Sequence, residues 1–130
     1  MFKKISKKNI VVLSIVLIVA IVYLAMFLST NSVIEYIEKL LNGEISYKTT
    51  EGTCLSRYNK SRFDAAKIDY SVSRVFVVHN FFDGYVWINY KYQVFDSDGN
   101  LLNGGVVTNS RLTIHRENGE WVIVDVKENP

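Results

Sequence analysis

Residues 10–28 read IVVLSIVLIVAIVYLAMFL, with no charge, no proline and no glycine. A helix of these residues reaches about 28 Å, against a bilayer hydrocarbon core of about 30 Å. Fourteen of its positions are Ile, Val, Leu or Phe, and each favours the bilayer by about 0.3 to 0.6 kcal/mol on the insertion scale, so the run partitions into lipid by several kcal/mol. Ser14 and Tyr23 are too mildly polar to reverse that. The stretch predicts a transmembrane helix whose partner is the lipid bilayer, and it divides the chain into a tail at 1–9, a span at 10–28 and a domain at 29–130.

Upstream of the span, Lys3, Lys4, Lys7 and Lys8 stand unopposed by any acidic residue. The positive-inside rule keeps such a tail in the cytoplasm, which places residues beyond Leu28 on the far side of a cell membrane crossed once. A cleaved secretory signal begins in the same way. Its apolar region runs to about 7 to 15 residues and is followed by an A-x-A site, whereas this run is longer and offers only Thr30-Asn31-Ser32. An uncleaved signal-anchor is therefore the expectation, and a secreted form after cleavage is the alternative. No cysteine near the end of the run marks a lipoprotein.

The formal charge of +2 over 130 residues belongs to the tail. Without its four lysines, 11 basic residues face 13 acidic ones, and so mild a balance argues against a nucleic-acid partner. Residues 29–130 suffice for one small domain. Cys54 is the only cysteine, so no intramolecular disulfide can staple that domain and packing must hold it. The thiol is expected to be partly buried and without a role.

Working outward from the span, Ser32-Val-Ile-Glu35 has capping-box spacing, and Val33, Ile34, Ile37, Leu40 and Leu41 form one apolar stripe that Asn42-Gly43 terminates. A short amphipathic helix is expected there. Residues 44–67 mix Gly52, Ser and Thr with the basic cluster Arg57, Lys60, Arg62 and Lys67; a solvated loop is expected, with a weakly helical spacing at Leu55, Tyr58, Arg62 and Ala66. Beyond it the period changes to two. Strands are predicted over 68–79, 85–95, 106–116 and 121–126, with turns at Asp83-Gly84, Asp96–Asn100 and Asn118-Gly119. Sequential strands joined by tight turns make an antiparallel meander.

Alternation sorts these strands by face. The core face collects Ile68, Tyr70, Val72, Phe76 and Val78, then Val86, Ile88, Tyr90, Tyr92 and Val94, then Leu112 and Ile114, then Val122, Val124 and Val126, with the short helix as its cover. The opposite face is polar with large aromatics set into it. Tyr85, Trp87, Lys91, Arg111, His115, Trp121 and Asp125 on it form the candidate partner or ligand face, the mixture of Tyr, Trp and Arg that interfaces favour. Phe81 and Phe82 beside the first turn cannot both point into one core; one is expected to pack inward and the other to touch lipid headgroups or a partner.

The helix, the long antiparallel sheet and the closing hairpin Arg111–Val126, RLTIHRENGEWVIVDV, resemble small domains of the nuclear transport factor two-like (cystatin-like) superfamily, which close on an apolar strand, an Asn/Asp-Gly turn and Trp-x-Ile. The resemblance covers about residues 32–128 and implies an α+β fold: a short helix packed on a curved four-stranded antiparallel sheet behind the transmembrane helix. Behind a single span, such domains are similar to assembly or scaffold components of bacterial cell-envelope machines, of the secretion or conjugation type. The partners implied are other envelope proteins, with self-association left open. The wealth of Ile, Lys and Asn suggests an AT-rich Gram-positive source.

Enzymatic members of that superfamily are isomerases, dehydratases or hydrolases that use a carboxylate or His in an apolar cone, and fuller members carry about three helices. His79, Asp83, His115 and Asp125 are the residues of that type here; the two His are expected to be solvated strand ends, and Asp125, taken to share a face with Trp121 and Ile123, is the best carboxylate. Asp96-x-Asp98-x-Asn100 opens like a calcium loop, but its Gly comes at the fourth position and Val107 stands where the bidentate Glu belongs. Cys54, His79 and His115 lack zinc spacing. No catalytic residue, metal or cofactor is assigned. The expected function is an extracytoplasmic protein-binding or scaffold domain, and the alternative is a small-ligand or isomerase/hydrolase-like domain with a cone around Trp87, Trp121 and Asp125.

Overall fold

A computed structural model describes residues 4–128, so that Lys3 of the basic tail lies outside the described residues. Helix α1 spans Lys7–Ser29, beginning one turn before the apolar run, where the Ser6 hydroxyl accepts from the Asn9 amide at 3.3 Å. It is long and apolar enough to cross a membrane, and its apolar side chains from Ile10 to Leu24 are exposed.

Only Thr30 separates α1 from α2, Asn31–Leu41. The expected Ser32–Glu35 capping box does not form. Its purpose is to satisfy orphan amides, and here the Val33 and Ile34 amides already donate to the Thr30 carbonyl, at 3.0 and 3.4 Å. The far end of α2 follows the sequence: Gly43, at φ +82°, lets the Gly43 amide reach Leu40 O (3.4 Å) and the Glu44 amide reach Lys39 O (3.1 Å), a Schellman ending. Val33, Ile37, Leu40 and Leu41 are buried against the sheet.

Residues 44–66 fold into one helical turn, α3 at Tyr47–Thr50, a series of turns and a 3₁₀ turn at Ser61–Phe63. This segment is less solvated than its composition suggests, since Tyr58, Asn59 and Lys60 are buried. Asn59 pins it: its amide donates to Ser46 O (3.2 Å) and Thr50 Oγ1 (3.0 Å), while its carbonyl oxygen accepts from the amide and hydroxyl of Ser61.

The sheet is an antiparallel meander in the order β1 (Lys67–His79), β2 (Asp83–Phe95), β3 (Leu101–Glu117), β4 (Glu120–Lys127). Asn118 (φ +52°) and Gly119 (φ +79°) make the expected primed turn. The core face is right for β2 and β3, where Val86, Ile88, Tyr90, Leu112 and Ile114 are buried in one cluster with the α2 stripe and Val94 is buried as well.

Two bulges correct the other assignments. In β1 the pairing skips Val75, so Phe76 and Val78 emerge on the open face while Val77 and His79 turn inward. In β4 the pairing skips Val124, which sends Trp121, Ile123 and Val126 to the helix side and leaves Val122 and Val124 exposed. One extra residue inverts a period of two from that point on.

Candidate functional site: a clamped helix exit and an open aromatic face

A helix ends in carbonyls that lack intrahelical partners, and the partial negative charge of the dipole gathers there. Where α1 breaks at Thr30, three side chains from the sheet take up those carbonyls. Arg74 reaches the helix side because it precedes the β1 bulge. Its Nη1 donates to Phe27 O at 2.9 Å and to Thr30 Oγ1 at 3.0 Å, and its guanidinium lies 3.9 Å from the centre of the Phe27 ring. Thr30 Oγ1 in turn donates to Phe27 O at 2.8 Å.

His79 reaches the same side because it follows the bulge. Its Nδ1 accepts from the Phe81 amide at 2.9 Å, which leaves the ring proton on Nε2. Nε2 sits 2.8 Å from Met26 O and 2.9 Å from Ser29 Oγ. Trp121, turned inward by the β4 bulge, donates its indole N–H to Ser29 O at 3.1 Å and packs on His79 with ring centres 4.8 Å apart. His79, expected as a solvated strand end, is buried, at 5% exposure. Burial lowers the Arg74 pKa from its ordinary value, yet a guanidinium stays charged. Its Nε has no hydrogen-bond partner among the described residues. The clamp residues bore one sequence signal, a lone Arg at an inward position of an apolar strand.

Among the described residues no element covers the sheet's opposite face, and it gathers most of the expected partner residues. Tyr85 and Trp87 have ring centres 5.8 Å apart, the Arg111 guanidinium lies 5.0 Å from the Tyr85 ring, and Phe76, delivered by the bulge, packs on Trp87 at 5.6 Å. Lys91 lies on the same face, opposite Val106. Asp125 also faces outward, opposite Thr113, and is exposed. His115 hydrogen-bonds Asp83, which raises its pKa above the ordinary value. Trp121 does not belong to this set. Trp87 and Trp121 lie on opposite sides of the sheet, so they and Asp125 cannot line one cone.

On the helix side a shallow basin of about 500 Å³ is lined in part by Cys54, Arg57, Lys60, Tyr90, Tyr92 and Glu128. Burial, with Arg62 adding to it, lowers the Lys60 pKa to about 8, while Nζ donates to Arg57 O at 2.6 Å and lies 3.8 Å from the centre of the Tyr92 ring. Burial, with Asp125 adding to it, raises the Cys54 thiol pKa, so the thiolate that nucleophilic work needs is disfavoured. Among the described residues no cluster of His, Cys, Asp and Glu is placed to hold a metal.

Phe81, at φ +71°, packs edge-on against His79 with ring centres 4.8 Å apart, while Phe82 is 66% exposed. Fold and junction together define a class: an α+β domain with an open antiparallel sheet, gripped by the end of a long apolar helix. No family model matches the chain, and neither does any curated protein or solved structure.

Proposed function

We propose that the protein is a single-pass anchor that holds an extracytoplasmic docking domain at a fixed attitude to the membrane, as a scaffold component of a bacterial cell-envelope assembly of the secretion or conjugation type. The observation that carries this reading is the open Trp87–Tyr85–Arg111 row on a sheet whose other face is clamped to α1. Rigid aromatics with an adjacent Arg are the usual anchors of protein interfaces, because they contribute large contact area at small entropic cost. The tail lysines, Lys4, Lys7 and Lys8 among them, support a cytoplasmic N-terminus. The helix-on-sheet order and the Trp121-Val-Ile123 hairpin support a cystatin-like assignment.

The exposed position of Asp125, and the lodging of Trp121 on the far side, disfavour a small-ligand or isomerase/hydrolase-like cone. The test is recovery of partners in mild detergent from cells carrying the full chain. Trp87→Ala and Arg111→Ala should each deplete the proteins that co-purify with the parent chain. Unchanged recovery by both variants, with both folded, would remove this face from the proposal.

A further inference from the structure

Phe76 on β1 packs against Tyr23 of α1 with ring centres 6.1 Å apart. Tyr23 lies five residues before Leu28, so at the helical rise it sits about 7.5 Å below the end of the apolar run. A side chain that touches Tyr23 from outside the helix stands at that depth too. The bulge at Val75 is what puts it there, because it exposes Val75, Phe76 and Val78 as adjoining apolar residues on an edge strand. Such an edge invites unwanted pairing when left in water.

The hairpin tip continues the patch. Its Phe82 is 66% exposed and follows Phe81, which packs on the His79 that hydrogen-bonds Met26 O. Beside it Arg116 donates to Phe81 O at 2.8 Å and lies 4.3 Å from the centre of the Trp121 ring. Aromatics with a nearby cation are the composition of a membrane–water interface.

We infer that the β1–β2 hairpin is a second membrane contact: Val75, Phe76, Val78 and Phe82 lie in the interfacial layer of the leaflet that α1 leaves, so the domain lies against the bilayer. The occupant of this patch is lipid, because the patch is continuous with the helix surface that faces lipid. The remaining part of the open face, around Lys91 and Arg111, stays free for protein. This inference rests on α1 spanning the bilayer.

The experiment uses the full chain with Cys54→Ser in vesicles of phosphatidylcholine and phosphatidylglycerol, carrying one environment-sensitive fluorophore on Phe82→Cys, Val78→Cys, Asp98→Cys or Leu17→Cys. Two labelled hairpin positions guard against one variant failing to fold. Lipid-borne nitroxide should quench the labels at 82, 78 and 17, and aqueous iodide should quench only the label at 98. If 17 is quenched by lipid nitroxide while 82 and 78 respond to iodide as 98 does, the hairpin contact is overturned and the span stands. Protection of 82 and 78 from both quenchers means that protein covers them, which also overturns it. If 17 is not quenched by lipid nitroxide, the span falls and the inference falls with it.

Discussion

The indole N–H of Trp121 donates to the backbone carbonyl of Ser29 across 3.1 Å of space and 92 positions of sequence. That one bond joins the last strand of the sheet to the last turn of the apolar helix. Trp121→Phe keeps an aromatic ring beside His79 and removes the donor, leaving a half-buried carbonyl short of a partner. The expected cost is about 1 kcal/mol in denaturant unfolding of the full chain in detergent, the size of one net hydrogen bond.

Arg74 should matter more, because it serves Phe27 O, Thr30 Oγ1 and the Phe27 ring together. Arg74→Ala is expected to destabilise by about 2 to 3 kcal/mol, a charge-assisted hydrogen bond plus lost packing. Arg74→Lys should recover only part of this, since an ammonium lacks the planar fork. Amide hydrogen exchange at residues 27–31 is the direct readout: protection should fall in both variants, and further in Arg74→Ala.

Buried Lys60 sets a pH dependence with a definite sign. Its folded pKa of about 8 lies below the ordinary 10.5, first through burial. Folding therefore disfavours the ammonium, and this contribution to stability rises as pH climbs from about 8 towards 10.5. Lys60→Met removes the buried charge and should stabilise the domain at pH 6 relative to the parent, with the difference shrinking by pH 10. A difference that stays level across that range would contradict the assignment.

His115 behaves oppositely. Its hydrogen bond with Asp83 is the main cause of its raised pKa. A raised folded pKa contributes stability that is fully present below the unfolded value, near 6.5, and is lost as pH rises through the folded value. Asp83→Asn should lower the His115 midpoint in an NMR titration. No change in that midpoint would show that the pair does not form in solution.

Strand number, order and turns were readable because period-two alternation and Asn-Gly or Asp-Gly turns are local signals. The Schellman ending at Gly43 was readable for the same reason. The bulges at Val75 and Val124 were not: an inserted residue carries no mark in a run of Val, yet each reverses the facing of the residues on one side of it relative to those on the other. Phe76, Val78 and Trp121 were misplaced for that single reason. The clamp was hidden too, because Arg74 and His79 both reach the helix side only when one residue between them is skipped. Tyr85, Trp87 and Arg111, on the stretch of β2 and β3 that pairs regularly before the shift at Ile88, stand together as the sequence implied.

Gly84 shows how tightly the hairpin is drawn beside the clamp. A Cβ there would collide with the His79 Cβ and the Val78 carbonyl. Gly84→Ala must push β2 away from His79, and should lower stability by about 1 to 3 kcal/mol, as overpacking does. The same variant should loosen amide protection at Ser29 and Thr30, within the stretch that the Arg74 variants also expose.

The central claim is that α1 and the sheet move as one body, so that the open face is held at a fixed attitude to the bilayer. Spin labels at Val16→Cys and Gln93→Cys, with Cys54→Ser, in vesicles of full-length chain test it by electron–electron distance measurement. A single narrow distance distribution that broadens in Arg74→Ala is the predicted result. A broad distribution in the parent protein, unchanged by Arg74→Ala, would mean that the domain swings freely on its helix and would contradict the account.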